Sequence, residues 1–512
     1  MAGREGGDAF ARPRILIAAG LLLAFLLGLA VQLPAANGDR FWVSDRQKYP
    51  LIAYNLVEHG AYYAKQDYGR RLERDEPIVP YALRAPGYPF FLAAVFAMSR
   101  HFDGVDPQCL ITDRCPGATA VRRDVQRASA VVAALLVPAT ALLVGVAFGG
   151  WPAAVAACVL MLFSVPNNDQ SRLAALFLLG HAGFGMLAYR AVGRRRFAFA
   201  AASGALLAAL ILTRAIFLYW LFALVVFGCV QLVMQLRTRG EVGVRTTGAI
   251  TLVAILLVLP WMARNHAVGG RFAIADQRGS LLAIRAEYTE ITWPELFGGF
   301  AYYLPRAPDA MRTMRRSLMR AVEPDVHGYE RFNRNHWDGF YRRAKRQSGV
   351  VAARAREDPG WKSGIRGRHG RDVALDHSAR DVILENWSKQ IALSFVFGLR
   401  GSFVYIQQFD LTTYGSSIAA ATRRLNGLAE WAVIFHVPAM IAAIAILATR
   451  RDWSRLYFFS PALFSFFIHA GTTHYLPRYS DPLTPIWIVG LVFTGGELIR
   501  AVRRARSESS PG

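Results

Sequence analysis

Residues 197–236 read FAFAAASGALLAALILTRAIFLYWLFALVVFGCVQLVMQL, a stretch whose one charged residue is Arg214. A helix rises 1.5 Å per residue, so about 20 apolar residues cross a hydrocarbon layer about 30 Å thick. The stretch therefore reads as two antiparallel spans, 197–213 and 215–236, joined by a turn at Arg214. A charge costs roughly 2.5–3.5 kcal/mol at the bilayer centre and less at its edge, so Arg214 marks an edge.

The same texture recurs on both sides. Apolar runs lie at 15–33, 128–148, 151–166, 172–190, 246–262, 428–449, 456–473 and 482–499. A soluble core does not need so many uninterrupted runs. The expected fold is an all-α polytopic membrane protein of about ten transmembrane helices, with 151–166 short enough to need little tilt or help from its flanks. Arg4, Arg12 and Arg14 precede the first run. That run is longer than the apolar part of a signal peptide, so it is expected to stay as an uncleaved span.

Lys and Arg number 59 against 36 Asp and Glu, for a formal charge of +23. Nucleic-acid binding is the first thought for such a charge, but no motif for it is present. Basic loops on the cytoplasmic side and attraction to anionic headgroups or phosphate account for the excess in a multispan chain. Basic clusters fall at Arg194–Arg196, at Arg237, Arg239 and Arg245, at Arg450 and Arg451, and at Arg500, Arg503, Arg504 and Arg506. Placing them inside with the N-terminus fixes the parity. The chain then divides into a cytoplasmic N-terminus (1–14), a transmembrane module (15–262) with a first outer loop (34–127), a large outer loop (263–427), C-terminal transmembrane helices (428–499) and a cytoplasmic tail (500–512). Residues 86–98 are too few to cross and are expected to lie along the outer surface as a short interfacial helix. No internal repeat of two similar halves is visible, which weakens a transporter reading.

Candidate chemistry collects on the expected outer side. The first loop opens Phe41-Trp42-Val43-Ser44-Asp45-Arg46. Tyr49, Ile52, Leu56 and His59 follow at the spacing of one helix face, and Gly60 marks the helix end. Asp45 reads either as a helix N-cap or as a carboxylate held at the surface for general-base work. Arg84-Ala85-Pro86-Gly87-Tyr88-Pro89 turns the chain sharply. Arg84, Arg214, Arg264 and Arg478 all fall at the outer level. One such arginine is a snorkelling anchor; four at one depth point to a site for an anionic group, because guanidinium forks match phosphate oxygens.

This order of features resembles the GT-C type glycosyltransferases. The carriers are the outer-loop Asp45, the helix ending in His59-Gly60, the 84–89 turn, Pro260-Trp261-Met262-Ala263-Arg264-Asn265, and Arg478-Tyr479 before a Pro-containing last span. They are similar to the branch of dolichyl-phosphate-mannose protein mannosyltransferases and the bacterial aminoarabinose and galacturonic acid transferases of lipid A. The likeness covers about 15–265 and 455–500. It implies a membrane enzyme of the plasma (inner) membrane whose site faces the periplasm or outside. That enzyme would pass a sugar from a polyprenyl-phosphate donor to an acceptor hydroxyl on a lipid, glycan or protein, with inversion. It implies Asp45 as the catalytic residue, Arg84, Arg214, Arg264 and Arg478 at the donor phosphate, and Tyr49, His59, Tyr88, His474 and Tyr479 about the substrates. Asp169 is the nearest match to an acidic residue that relatives carry at the outer start of the fourth span. Many relatives have Asp-Glu where this chain has Asp45-Arg46, so a divalent cation is left open and no other cofactor is implied. A flippase for a lipid-linked substrate and a non-catalytic assembly subunit are the rival readings.

Two further groups stay open. Cys109 and Cys115 lie close together in the first loop and form a disulfide if that loop is outside; Cys158 and Cys229 sit in apolar runs as packing residues. The aromatics Trp293, Tyr302, Tyr303, Tyr329, Trp337 and Tyr341 of the large loop read either as a lid over an anionic acceptor or as a solvated interfacial domain.

Overall fold

The computed structural model describes residues 8–35, 48–63, 82–112, 116–148, 150–164, 166, 168–238, 243–275, 278–304, 309–322, 329–332, 339–359, 361, 365–402, 416–473, 475 and 479–509. The first half runs α1 (Asp8–Ala35), α2 (Lys48–His59), α3 (Gly87–Met98), α4 (Pro107–Thr112), α5 (Pro116–Leu143), α6 (Gly150–Phe163), α7 (Asp169–Arg190), α8 (Gly193–Thr213), α9 (Leu218–Thr238) and α10 (Val244–Gly269). Then come α11 (Arg278–Glu287), α12 (Trp293–Tyr303), α13 (Asp309–Val322), α14 (Phe340–Arg346), α15 (Val350–Arg356), α16 (Ile365–Glu385) and α17 (Trp387–Ser402). The chain closes with α18 (Ser416–Thr449), α19 (Trp453–Thr472) and α20 (Thr484–Ser509).

Among the described residues, seven helical stretches are long and apolar enough to cross a membrane: 15–33, 117–148, 169–190, 193–213, 215–237, 244–269 and 481–507. The chain is an all-α polytopic membrane protein. Of the remaining expected spans, 151–166 and 428–449 fall on shorter apolar helices, 150–163 and 434–449. The run 456–473 falls on α19, where Ser460, Pro461, Ser465 and His469 dilute the apolar signal. That helix is tolerated because protein covers it: it packs on α7 and α17, and Phe458, Phe459, Ala462 and Phe466 are buried. The segment at 86–98 forms α3, whose 12 residues rise about 18 Å and fall short of a bilayer. It lies on α2 and α5 and touches the tip of α8.

Contacts sort the helix ends into two levels. At one, Arg455 Nε donates to Ala147 O at 2.6 Å, Arg190 Nε to Ser454 Oγ at 2.8 Å, and Arg450 pairs with Glu497 at 2.6 Å. At the other, the end of α1 (Gln32) meets α7, the start of α7 meets the end of α8, and Asn168 meets Asp481 before α20. These are the groupings that an alternating path through a membrane requires. Between the levels, fully buried His181 of α7 ties four helices together. Its Nδ1 is 3.0 Å from Ser203 O, its Nε2 accepts from Trp220 Nε1 at 3.0 Å, and Tyr457 OH lies 3.4 Å from the same nitrogen.

The described residues between 271 and 402 form a helical module on the Asp481 level. Its inner packing joins α11, α15 and α16 through Ala283, Ala286, Val351, Ala355, Leu375 and Val382. Arg285 fastens it to the bundle. This side chain has no exposed surface, and all its polar partners are neutral: Gln390 Oε1 at 2.6 Å, Gln390 O at 2.7 Å, Ser394 Oγ at 3.0 Å, Ala470 O at 3.1 Å and Thr473 O at 3.0 Å. The last two carbonyls close α19, so a cation sits on the negative end of that helix. The Arg285 guanidinium also lies 4.7 Å over the Phe397 ring.

Candidate functional site

The N-terminus of α7 is the centre of the polar level. Asn168 is its cap: its backbone is extended and its Oδ1 accepts from Ser171 N at 2.9 Å, which satisfies one of the orphan amides of the first turn. The same side chain donates from Nδ2 to Asp481 Oδ2 at 3.2 Å. One amide group thus fixes both the start of α7 and the approach to α20.

Asp169 follows, buried to 7% exposure. Its carboxylate accepts a short hydrogen bond from the Ser129 hydroxyl of α5 and lies 3.5 Å from Tyr88 OH of α3, at the long limit for such a bond. Arg172, one turn on, places NH1 3.8 Å from Asp169 Oδ1. Arg172 also donates to Pro166 O at 2.8 Å, Ser129 Oγ at 3.3 Å and Gln32 Oε1 at 3.2 Å. A buried ion pair repays its desolvation only when its remaining donors and acceptors are met, and here α1, α3, α5 and α7 together meet them.

Tyr88 carries the network toward the first loop. Its ring meets Tyr49 edge-on at 5.3 Å, and the Arg84 guanidinium sits 5.5 Å over the Tyr49 ring. The backbone reaches this position because Gly87 rests on the end of α8. A Cβ there would lie 2.5 Å from Thr213 Oγ1 and 2.9 Å from Leu212 O, so any larger residue would push α3 away. Tyr62 OH donates to Arg84 O at 3.0 Å, and Arg264 NH2 donates to Tyr62 O at 3.2 Å. Arg264 also lies over the Trp261 ring at 4.8 Å.

On the other flank, Arg214 breaks the helix between α8 and α9 and donates from NH2 to Ser171 Oγ at 2.5 Å. Beyond it, the His469 ring stacks on Tyr479 at 5.0 Å and meets Tyr475 at 5.4 Å. The buried Tyr475 hydroxyl accepts from Ser480 Oγ at 2.9 Å. Burial pushes that hydroxyl's pKa up; the Ser480 bond and the charge of Arg214 oppose this, and the charge of Asp481 adds to it.

Of the residues expected from sequence, Arg84, Arg214, Arg264, Tyr49, Tyr88 and Tyr479 are joined to the Asp169 level by these contacts. His59 is not: it lies exposed at the end of α2, its ring 6.3 Å from Tyr54. Asp45, His474 and Arg478 lie outside the described residues. Ser129, Arg172, Asn168, Asp481, Gln32 and His469 belong to the network and were not singled out from sequence. Asn-Asp immediately before an apolar run was a legible cap signal for Asn168. Among the described residues, no three His, Cys, Asp or Glu side chains are gathered as a metal site. Cys109 is disulfide-bonded, while Cys115 lies outside the described residues; Cys158 and Cys229 are free.

The large-loop aromatics divide. Tyr303 is buried against Phe332 and Phe397, with Arg400 over its ring at 4.4 Å, and Tyr302 stacks on Phe332. Tyr288 and Phe340 complete this cluster. These rings are the packing of the module. Trp293 stands exposed, and Trp337 lies outside the described residues.

Fold and site together define a multi-pass membrane protein with a connected arginine, carboxylate and tyrosine network at one level of its bundle. No family model matches the chain, and no curated protein matches it. Among solved structures it is similar to the archaeal oligosaccharyltransferase AglB from Archaeoglobus fulgidus, in complex with an inhibitory peptide and a dolichol-phosphate. The identity is 12% and the TM-score 0.44, over 98% of this chain and 52% of that one. The chain thus spans about half the length of that protein.

Proposed function

We propose that the chain is an integral membrane glycosyltransferase of GT-C type. In this reading it moves a sugar from a polyprenyl-phosphate donor to an acceptor hydroxyl on the extracytoplasmic side. The observation that supports it best is the convergence of Arg84, Arg214 and Arg264 on one level of an apolar bundle, beside the Asp169–Arg172 pair. A lipid-linked donor puts its tail among apolar helices and its phosphate at their ends, where guanidinium groups are needed.

The chemistry assigned is a single displacement. Asp45 takes the proton of the acceptor hydroxyl. The oxygen forms its bond to the anomeric carbon as the bond from that carbon to the phosphate oxygen breaks, which inverts the centre. The polyprenyl phosphate leaves with added negative charge, which the arginines stabilise. Arg478 belongs to the same set by its place in the sequence. Asp169 holds Ser129, Tyr88 and Arg172 in register and so positions the floor of the site.

The deciding experiment incubates purified, reconstituted protein with a panel of radiolabelled polyprenyl-phosphate sugars and extracted envelope acceptors. Net product that Asp45→Asn abolishes, with insertion unchanged, supports the reading. Movement of donor across the membrane without product would replace it with a flippase, and neither outcome with a well-inserted protein would point to an assembly subunit.

A further inference from the structure

Helix α13 reads DAMRTMRRSLMRAV from Asp309 to Val322. At 100° per residue, Ala310, Met311, Met314, Leu318, Ala321 and Val322 fall on one arc, and Arg312, Arg316 and Arg320 fall together on the opposite side. The helix packs on α12 by one edge, with Arg315 donating to Tyr302 O at 3.3 Å. Met314 and Leu318 are left 43% and 42% exposed, and Arg312, Arg316 and Arg320 are exposed too. Among the described residues, Arg316 and Arg320 have no ion pair, while Arg312 pairs with Asp309 at 3.1 Å. An apolar stripe opposed by a cationic face, with nothing among the described residues folded over either, is the pattern of a helix that lies in the plane of a membrane surface.

The position of the helix identifies the surface. α13 rests on α12, α12 on α17, and α17 on the end of α19, where Gly398 faces Ala470 and Arg285 holds the last carbonyls. The module therefore begins where the spans end. Its other helices also show apolar side chains to the outside, with Trp293 and Phe297 on α12 and Trp387, Ile391 and Phe395 on α17. Tryptophans at this level are typical of the headgroup region.

We infer that α13 docks on the leaflet in which the chain itself is embedded, with Met314 and Leu318 in the upper acyl region and Arg312, Arg316 and Arg320 on anionic lipid headgroups. The docking fixes the height and tilt of the 271–402 module over the bundle. It does not depend on the transferase reading.

The test uses the full chain with Cys158→Ala and Cys229→Ala, so that one introduced cysteine is labelled. An environment-sensitive probe is placed at Leu318→Cys or Arg316→Cys, and the protein is put in nanodiscs of phosphatidylcholine alone or with phosphatidylglycerol. In discs with phosphatidylglycerol, the probe at 318 should be quenched by tail-brominated lipid and protected from iodide, and the probe at 316 should show the reverse. Each arginine near an anionic surface strengthens binding by roughly fivefold, so replacing all three arginines by Gln should remove the difference between the two lipid mixtures. Equal iodide access at 316 and 318 in both lipids would overturn the proposal, as would lipid protection that is indifferent to phosphatidylglycerol and to the Gln variants. Protection that persists in detergent and rises with protein concentration would also overturn it and assign the face to a second copy of the chain.

Discussion

Asn168 and Asp481, 313 residues apart in sequence, are joined by a hydrogen bond of 3.2 Å from the Asn168 amide to the Asp481 carboxylate. The other end of the same amide caps α7. The pair therefore sets the distance between the helix that carries Asp169 and Arg172 and the segment that carries Tyr479 and Ser480. A carboxylate cannot replace it because it has no proton to donate, and a hydroxyl would have to serve both partners from a single atom where the amide uses two.

That geometry separates two variants. Asn168→Ala loses the cap, worth about 1 kcal/mol, and leaves Asp481 short of a donor. Asn168→Asp keeps an acceptor for Ser171 N but sets a second carboxylate against Asp481. Like charges in a site of low exposure cost more than a lost cap. Asn168→Asp should therefore unfold at a lower temperature than Asn168→Ala in the same detergent at neutral pH. A ranking in the opposite order, read by differential scanning fluorimetry, would mean that Asp481 does not depend on this amide.

Arg214 gives a prediction about binding. Its NH2 donates to Ser171 at the first turn of α7, which holds the guanidinium at the level where a donor phosphate is proposed to sit. A charge-assisted hydrogen bond contributes about 1.5–3 kcal/mol, so Arg214→Ala should raise the apparent KM for a polyprenyl-phosphate donor by roughly tenfold or more. Arg214→Lys restores the charge but not the fork and should recover only part of the loss. Both variants should keep the unfolding temperature of the parent within a few degrees. Loss of stability in step with loss of donor use would assign Arg214 to scaffolding.

The position of Arg214 was legible because one charge between two long apolar runs has only the bilayer edge to occupy. Arg84 and Arg264 were legible in the same way, from their places beside a turn and after a span. The partners that fix Asp169 were not. Ser129, Arg172 and Gln32 lie on three separate helices, and hydropathy gives the length of each helix without saying which helices touch or which faces meet. α19 was legible as the apolar run 456–473, but the packing on several sides that allows it to carry Ser, Pro and His was not. Arg285 was hidden for another reason. In a loop crowded with arginines, nothing local marks the one that tertiary contacts bury.

Arg285 is also the sharpest test of how the module is held. Truncation to Ala would leave Gln390 Oε1, Ser394 and the carbonyls of Ala470 and Thr473 without their donor, all in buried or half-buried positions. Each such orphan costs about 1–3 kcal/mol, so Arg285→Ala should release the 271–402 module from the bundle. Limited proteolysis should then cut between 271 and 402 while the membrane-embedded helices stay protected. Arg285→Lys keeps a charge near the end of α19 but reaches fewer acceptors, and should fall between the two. A wild-type digestion pattern from Arg285→Ala would show that the apolar contacts of α17 hold the module without it.

Glu287 gives the module a pH dependence. The side chain is 1% exposed, and one of its carboxyl oxygens accepts from Val351 N at 3.2 Å at the start of α15. Gly349 makes room for it, since a Cβ there would collide with the carboxyl group. Burial pushes its pKa up to about 7; the charge of Glu290 adds to this, while the Val351 and Val350 amides and Arg343 work against it. Below the ordinary carboxyl range the group is protonated whether the module is folded or not. As pH rises from there toward 7, the unfolded chain releases the proton while the folded module keeps it, so stability declines. Above 7 both states are ionised and the loss is complete, on the order of 3 kcal/mol in all. The unfolding temperature of the detergent-solubilised protein should accordingly fall between pH 4.5 and 7.5. Glu287→Gln, which keeps an acceptor for Val351 N without the charge, should flatten that fall and raise the midpoint at pH 8. The same slope in both proteins would place the pH dependence elsewhere. Gly349→Ala offers an independent check: it should destabilise the parent strongly and cost much less when Glu287 is also shortened to Ala, because the clash and the buried carboxyl group disappear together.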